Sequence, residues 1–266
     1  FPFHCKNIGW ILAEWLTMKE LILNTVRILM YKDKAFLVII PARKGSKGIP
    51  GKNLKKIGGK PMIQYTIEAA IQATSLCDVL VTTDDQDVIS LSKKLGIDVP
   101  FTRPETLSTD LAKTSDVIQH SLDWYRSKHD KLPINILLLQ PTSPFRDAKD
   151  ISRAIKQFIQ SDKKTLISVS EPIQHPGDCI LKNQDGKFER LEVGKDTQGR
   201  QSYPEVFFID GGIYISETKH FLETQDIIGD DPEIFLTEQF NAIDIDTHFD
   251  LECARALYSS RLQYDT

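Results

Sequence analysis

FLVIIPARKGSKGIPGKNL, residues 36–54, decides the fold. The unbroken apolar run 36–40 has the texture of a strand buried on both faces. It breaks into a loop carrying Gly45, Gly48 and Gly51. Arg43, Lys44, Lys47, Lys52, Lys55, Lys56 and Lys60 make seven basic residues between 43 and 60 with no acidic residue among them, in a chain of net charge −4. Such local basicity calls for a local ligand. A loop leaving a strand can aim backbone N–H groups and cationic side chains at a polyphosphate. A lysine-rich solvated loop is the plain alternative, and the glycines weigh against it because they let the backbone turn and approach a ligand closely.

Outward from this stretch the chain alternates strand and helix. DVLVTT (78–83), INILLLQ (134–140) and TLISVS (165–170) read as buried strands, with helices near 61–75, 86–95, 114–128 and 147–160. Pro61 suits the start of one helix, and Asp147 or Asp150 the start of another. The alternation predicts an α/β fold, doubly wound around a mainly parallel sheet. Residues 171–205 change texture to Pro, Gly, Asp and Lys, and predict a small antiparallel excursion with a turn at Asp185-Gly186. VFFI (206–209), GGIYIS (211–216) and FNAIDI (240–245) are expected to rejoin the sheet before a final helix from about Asp250 to Leu262.

In such sheets ligands gather beyond the carboxyl ends of the strands. The basic loop, Asp84-Asp85, PTSPFR (141–146) and Asp246 all fall there. The loop is not a P-loop: Ser46 stands where glycine is required, and Asn53 rather than Ser or Thr follows Lys52. Its G-x-x-G-x-x-G spacing is not a dinucleotide fingerprint either.

With 266 residues, 41% hydrophobic and 26% charged, the composition is that of an ordinary globular chain. Mild acidity argues against nucleic-acid binding as the main activity. Cys5, Cys77, Cys179 and Cys253 are dispersed, which predicts reduced thiols in a cytoplasmic protein rather than a zinc site or disulfide framework. Residues 1–33 read as a helical N-terminal extension, apolar at 11, 15, 18, 22, 26 and 29. Glu14, Lys19, Glu20 and Arg27 argue against a membrane span or signal peptide there, and Met30 reads as a natural start.

PARKGSKGIPGKNL closely resembles the opening motif of the acylneuraminate cytidylyltransferase family, the sugar activators that make CMP-linked nonulosonic acids. TTDD (82–85), RPETLSTD (103–110), LLQPTSPFR (138–146), HP (175–176), RQ (200–201) and IDIDT (243–247) follow in family order. The resemblance runs from Phe36 to the C-terminus and implies CTP + nonulosonic acid → CMP-sugar + pyrophosphate, with Mg²⁺. It implies that Ala42, Arg43, Ser46, Lys52, Asn53 and Asp84 meet the nucleotide, Arg43 and Lys52 offsetting charge on the departing pyrophosphate. Arg103 then reads cytosine, with Ala112 and Thr114 lining the nucleoside. Gln140, Thr142, Arg200 and Tyr214 fall on the acceptor side, where the Arg200 guanidinium suits a carboxylate.

Asp244 and Asp246, at i and i+2 on an expected strand, point to one face. Their mutual repulsion invites a cation, and oxygen ligands suit Mg²⁺. The alternative is that Asp246 caps the final helix, a job Thr247 or Asp250 could also do. The resemblance further implies a homodimer in which residues 171–205 form the arm. Where neuraminate enzymes carry lysine after H-P this chain has Asp178, and where they carry R-P-N-G it has Phe208-Ile209-Asp210-Gly211. Those departures point toward a legionaminate- or pseudaminate-type acceptor. Rival readings are a 3-deoxy-manno-octulosonate cytidylyltransferase and a nucleotide-binding module without catalysis.

Overall fold

The computed structural model describes residues 36–74, 77–191 and 203–264. The expected N-terminal extension and Arg200 lie outside the described residues. Strand β1 (Phe36–Pro41) is central, pairing in parallel with β4 (Asp78–Thr82) and β5 (Asn135–Leu138). Its residues divide alternately between two cores. Phe36, Val38 and Ile40 join one face, which helices α1 (Met62–Ala73), α2 (Gln86–Lys94) and α4 (Ala148–Gln160) cover. Leu37 and Ile39 join the other, under α3 (Thr114–His129) and α5 (Thr218–Thr224). A strand buried on both faces cannot alternate polar and apolar residues, which is why FLVII is uniformly apolar.

The full sheet has six strands in the order β10-β6-β9-β5-β1-β4, with β6 at Thr165–Ser170, β9 at Phe208–Glu217 and β10 at Glu233–Leu236. Only β9 runs against its neighbours β5 and β6, so the sheet is mainly parallel as expected. Two short strands, β2 (Lys56–Ile57) and β3 (Lys60–Pro61), form a hairpin just after the basic loop. The excursion after β6 is the antiparallel hairpin of β7 (Ile180–Lys182) and β8 (Phe188–Arg190), its turn closed by Gly186 N–H on the Asn183 carbonyl at 3.0 Å.

Two expectations need correction. The two strands expected at 206–209 and 211–216 are a single one, β9, with residues 206 and 207 outside it and the register jumping from Ile167↔Tyr214 to Val169↔Ile209. One residue of β6, Ser168, there faces four of β9, so three extra residues bulge out of the ladder around Asp210–Gly212. FNAIDI joins no strand: it runs outside the ladder, tied by the Ile245 N–H to the Thr142 carbonyl at 2.9 Å. The sheet's edge is instead β10, short and flanked by acidic residues, where Phe235 is buried while Ile234 and Leu236 are open. The closing helix α6 runs His248–Tyr264. Among the described residues, no helix is long and apolar enough to cross a membrane.

Candidate active site

Strands β1, β4 and β5 end on the same edge, and the segments that follow them meet there. The basic loop leaves β1 with the Ala42 N–H still bonded to the Thr82 carbonyl at 3.0 Å. It is closed by Asn53, whose Nδ2 donates to the Arg43 carbonyl at 3.0 Å, and it ends in a 3₁₀ turn at Lys52–Leu54. The Lys44 N–H donates to Asp84 Oδ1 at 2.7 Å, which ties the loop to the segment after β4.

A small hydrophobic cluster sets the loop against the aspartates. Ile49 from the loop and Ile245 from IDID are both fully buried, with Ile57, Met62, Phe145, Leu251 and Ala254 around them. The alternation in IDID therefore survives without a ladder: Ile245 is turned inward, and Asp244 and Asp246 face solvent. The approach is so close that a Cβ on Gly48 would sit 2.3 Å from the Asp246 carbonyl oxygen, leaving room for glycine alone. Lys52, only 14% exposed, donates to Asp246 Oδ1 at 2.8 Å.

The capping alternative for Asp246 is met by its neighbours. Asp250 Oδ2 accepts from the Thr247 N–H at 2.7 Å, the Thr247 hydroxyl at 2.8 Å and the Asp246 N–H at 3.1 Å. The Thr247 hydroxyl in turn accepts from the Asp250 N–H at 3.2 Å, a reciprocal cap on α6. The Asp246 side chain is thus directed to Lys52, not to the helix.

Asp244 stands two residues before Asp246 on the same segment. Partial burial pushes its carboxyl above the ordinary carboxylate value, Asp246 and Asp250 push it further, and the Thr142 hydroxyl and Lys52 pull it back. The bulge in β9 brings Gly211 beside it: with φ +75°, a Cβ there would lie 3.4 Å from Gln140 Oε1 and 3.9 Å from Asp244 Oδ2. That bulge is held from beneath. Ser168 Oγ donates to Asp210 Oδ1 and accepts from the Ile213 N–H at 2.7 Å, while Asp210 Oδ1 accepts from Gly212 N–H at 2.8 Å. Arg146 Nη1 donates to the Gly212 carbonyl at 2.8 Å. Full burial pushes this guanidinium down to about 10, against the pull of Asp150 and Asp210, so it remains charged at neutral pH.

Arg103, which follows the segment after β4, is 4% exposed. Its N–H donates to the Thr83 carbonyl at 2.8 Å, its Nε to Ser108 Oγ at 3.2 Å, and its Nη2 lies 3.7 Å from Asp84 Oδ1. Burial and the nearby Arg43 lower its pKa, while Asp84 opposes them. The Arg43 guanidinium bonds Asp110 Oδ1, and Lys47 Nζ lies 3.3 Å from Asp110 Oδ2.

The structure thus gathers Arg43, Lys52, Asn53, Asp84, Arg103, Gln140, Thr142, Asp244 and Asp246 at one edge. Ser46 is half-buried in the same loop, Ala112 half-buried after Asp110, and Thr114 exposed at the first turn of α3. Tyr214 packs its ring in the core under α3, 9% exposed, close enough to Asp210 and Asp244 for their charges to add to the upward push of burial on its hydroxyl. Asp110 and the Ser168–Asp210–Arg146 group were missed from sequence. A basic run with no acidic partner of its own was a signal for the first. Nothing local marks the second, which forms only when three distant segments meet.

Sheet order and site geometry define a nucleotidyltransferase-type cleft. The family described as cytidylyltransferase matches residues 37–261, and the chain belongs to it. It is 34% identical over 217 residues to the CMP-N,N'-diacetyllegionaminic acid synthase of Legionella pneumophila, covering 80% of this chain and 92% of that protein. It is 32% identical over 225 residues to the pseudaminic acid cytidylyltransferase of Campylobacter jejuni, covering 84% and 95%. In fold it is similar to a CMP:2-keto-3-deoxy-manno-octonic acid synthetase solved with CTP, with a TM-score of 0.61 at 20% identity, covering 85% of this chain and 99% of that one.

Proposed function

We propose that this chain transfers a cytidylyl group from CTP to the anomeric hydroxyl of a nonulosonic acid, releasing pyrophosphate. The observation that carries this reading is the closure of the cationic loop onto the aspartate segment, through the Gly48–Asp246 contact and the Lys52–Asp246 bond. The hydroxyl oxygen attacks the α-phosphorus and the bond to the β-phosphate oxygen breaks. Arg43 and Lys52 stand where negative charge grows on the leaving group. Arg103, buried and fixed by three partners, suits the base. Gln140, Thr142 and the Gly211 bulge suit the acceptor, whose class is supported by relatives named for diacetyllegionaminic and pseudaminic acids.

The carboxylate pair fits Mg²⁺. Burial raises Asp244 and the charge of Asp246 adds to it, and among the described residues no three His, Cys, Asp or Glu side chains converge into a cage. A cation that takes one or two carboxylates, phosphate oxygens and water needs no more. When bound, Mg²⁺ would supply Lewis-acid polarisation and make the acceptor hydroxyl easier to deprotonate. The β7–β8 hairpin leaves Ile180, Leu181 and Phe188 exposed, which supports an arm that docks on a second copy in a homodimer. Free Cys77, Cys179 and Cys253 are consistent with a cytoplasmic setting.

Pyrophosphate release with CTP, measured over a panel of nonulosonic acids and the octulosonate, tests the reading. Release with a nonulosonic acid is expected. Release with the octulosonate alone would move the assignment to that acceptor, and none with any acceptor would remove the activity. Gel filtration of a chain lacking the arm checks the arm's role: a dimer that persists without it overturns that role.

A further inference from the structure

Three of the loop's cations, Arg43, Lys47 and Lys52, are paired with carboxylates, and one of those carboxylates has no other task in the fold. Asp84 ties Lys44 N–H to Arg103, and Asp246 belongs to the aspartate pair. Asp110 caps no helix and joins no strand. Its two oxygens are divided between Arg43 and Lys47, both partly open to solvent. It sits on a turn after Arg103 beside Leu111, which is 91% exposed, and the turn is closed by the Ala112 N–H on the Thr109 carbonyl at 3.3 Å. Arg43 lies near enough to Arg103 to lower the latter's pKa, so cations crowd this spot. An anion there relieves them.

We propose that Asp110 is a stand-in for phosphate: its carboxylate holds Arg43 and Lys47 in the empty site and is exchanged for the outer phosphates of CTP when the nucleotide binds. This rests on the reading of the loop as a triphosphate grip. The exchange has two consequences. The empty loop keeps its cations aimed without mutual repulsion, and the 104–113 turn is released only when a ligand carrying more than one phosphate arrives. Because Ala112 follows on the same turn, filling the grip also resets the wall next to the nucleoside. A triphosphate outcompetes a single carboxylate through its greater charge and number of acceptor oxygens. Both pairs are partly solvated, so each is weak enough to give way.

Calorimetric titration of CTP and of CMP into wild type, Asp110→Asn, Asp110→Ala and Asp110→Glu tests it. Removing the competing charge should tighten CTP by about three- to tenfold in the Asn and Ala variants. CMP, which lacks the outer phosphates, should bind with wild-type affinity throughout, and Asp110→Glu should restore the wild-type CTP value. A residue that merely props Arg43 in place would give the opposite sign. Unchanged or weaker CTP binding in the Asn and Ala variants, with wild type still preferring CTP over CMP, overturns the exchange alone. A folded wild type that does not prefer CTP over CMP overturns the triphosphate grip and the exchange together.

Discussion

On the nucleotide side of the cleft, one continuous loop, residues 42–54, carries the cations, their glycine hinges and the Asn53 amide that closes it. On the acceptor side, Gln140 comes from the end of β5, Gly211 from a bulge in β9, and that bulge is braced by Ser168 of β6 and the buried Arg146. Under the proposed function the first side would meet a triphosphate, whose charge and shape do not vary, and a short peptide can hold it. The second would then fit one sugar among many, and it is assembled across strands so that a change beneath the sheet can reshape it. Asp244 and Asp246 lie on the seam, held to the loop by Ile245 and Gly48.

The harshest way to break the seam is Asp246→Asn. It removes the Lys52 partner and one charge of the carboxylate pair, and turnover should fall by more than about a hundredfold. Circular dichroism and CTP binding should change little, because the helix cap belongs to Thr247 and Asp250. A near wild-type rate of pyrophosphate release would remove Asp246 from the chemistry.

Gly48→Ala tests whether the two sides must be held this closely. Its Cβ would meet the Asp246 carbonyl at 2.3 Å, so loop or aspartate segment has to move. Displacements of about an ångström cost on the order of ten- to a hundredfold in rate. The loss should fall in kcat more than in the CTP KM. An unaffected kcat would mean that the seam is loose in turnover.

These two effects also show what was legible in the chain. The parallel sheet was, because FLVII, DVLVTT and INILLLQ are apolar on both faces, and burial on both faces makes a strand stand out. The loop was, because glycine and cations are contiguous in it. The strand expected at 240–245 was not there, although its alternation was real: Ile245 is buried by a side cluster rather than by pairing, and periodicity reports which face is buried, not what buries it. The bulge at Asp210–Gly212 was invisible for the same reason that it suits specificity. It depends on a hydroxyl more than forty residues upstream, and sequence proximity carries no trace of that.

Gly211→Ala sharpens the acceptor half. Placing Ala at φ +75° costs about 1–2 kcal/mol, and the methyl would press toward Gln140 Oε1 at 3.4 Å. The acceptor KM should rise by about tenfold, with the CTP KM within about twofold of wild type. A rise in both constants would show that the bulge braces the whole cleft.

The smallest effect concerns the cap that leaves Asp246 free. Asp250 is pushed up by partial burial, but the hydrogen bonds from Thr247 and Asp246 outweigh it and hold the carboxyl below its ordinary value. A carboxylate with a depressed folded pKa contributes stability that is present above its unfolded pKa and lost as pH falls through the folded one. Asp250→Asn should therefore cost about 1 kcal/mol at pH 7, seen as a melting temperature lower by about 2–4 °C. The gap from wild type should narrow as pH drops below about 4, where the wild-type carboxyl takes up its proton. A gap independent of pH would mean that the cap acts through shape and not charge. In either case turnover should drop far less than in Asp246→Asn, because the cap orients the backbone of residue 246 while the chemistry assigned to it lies in its side chain.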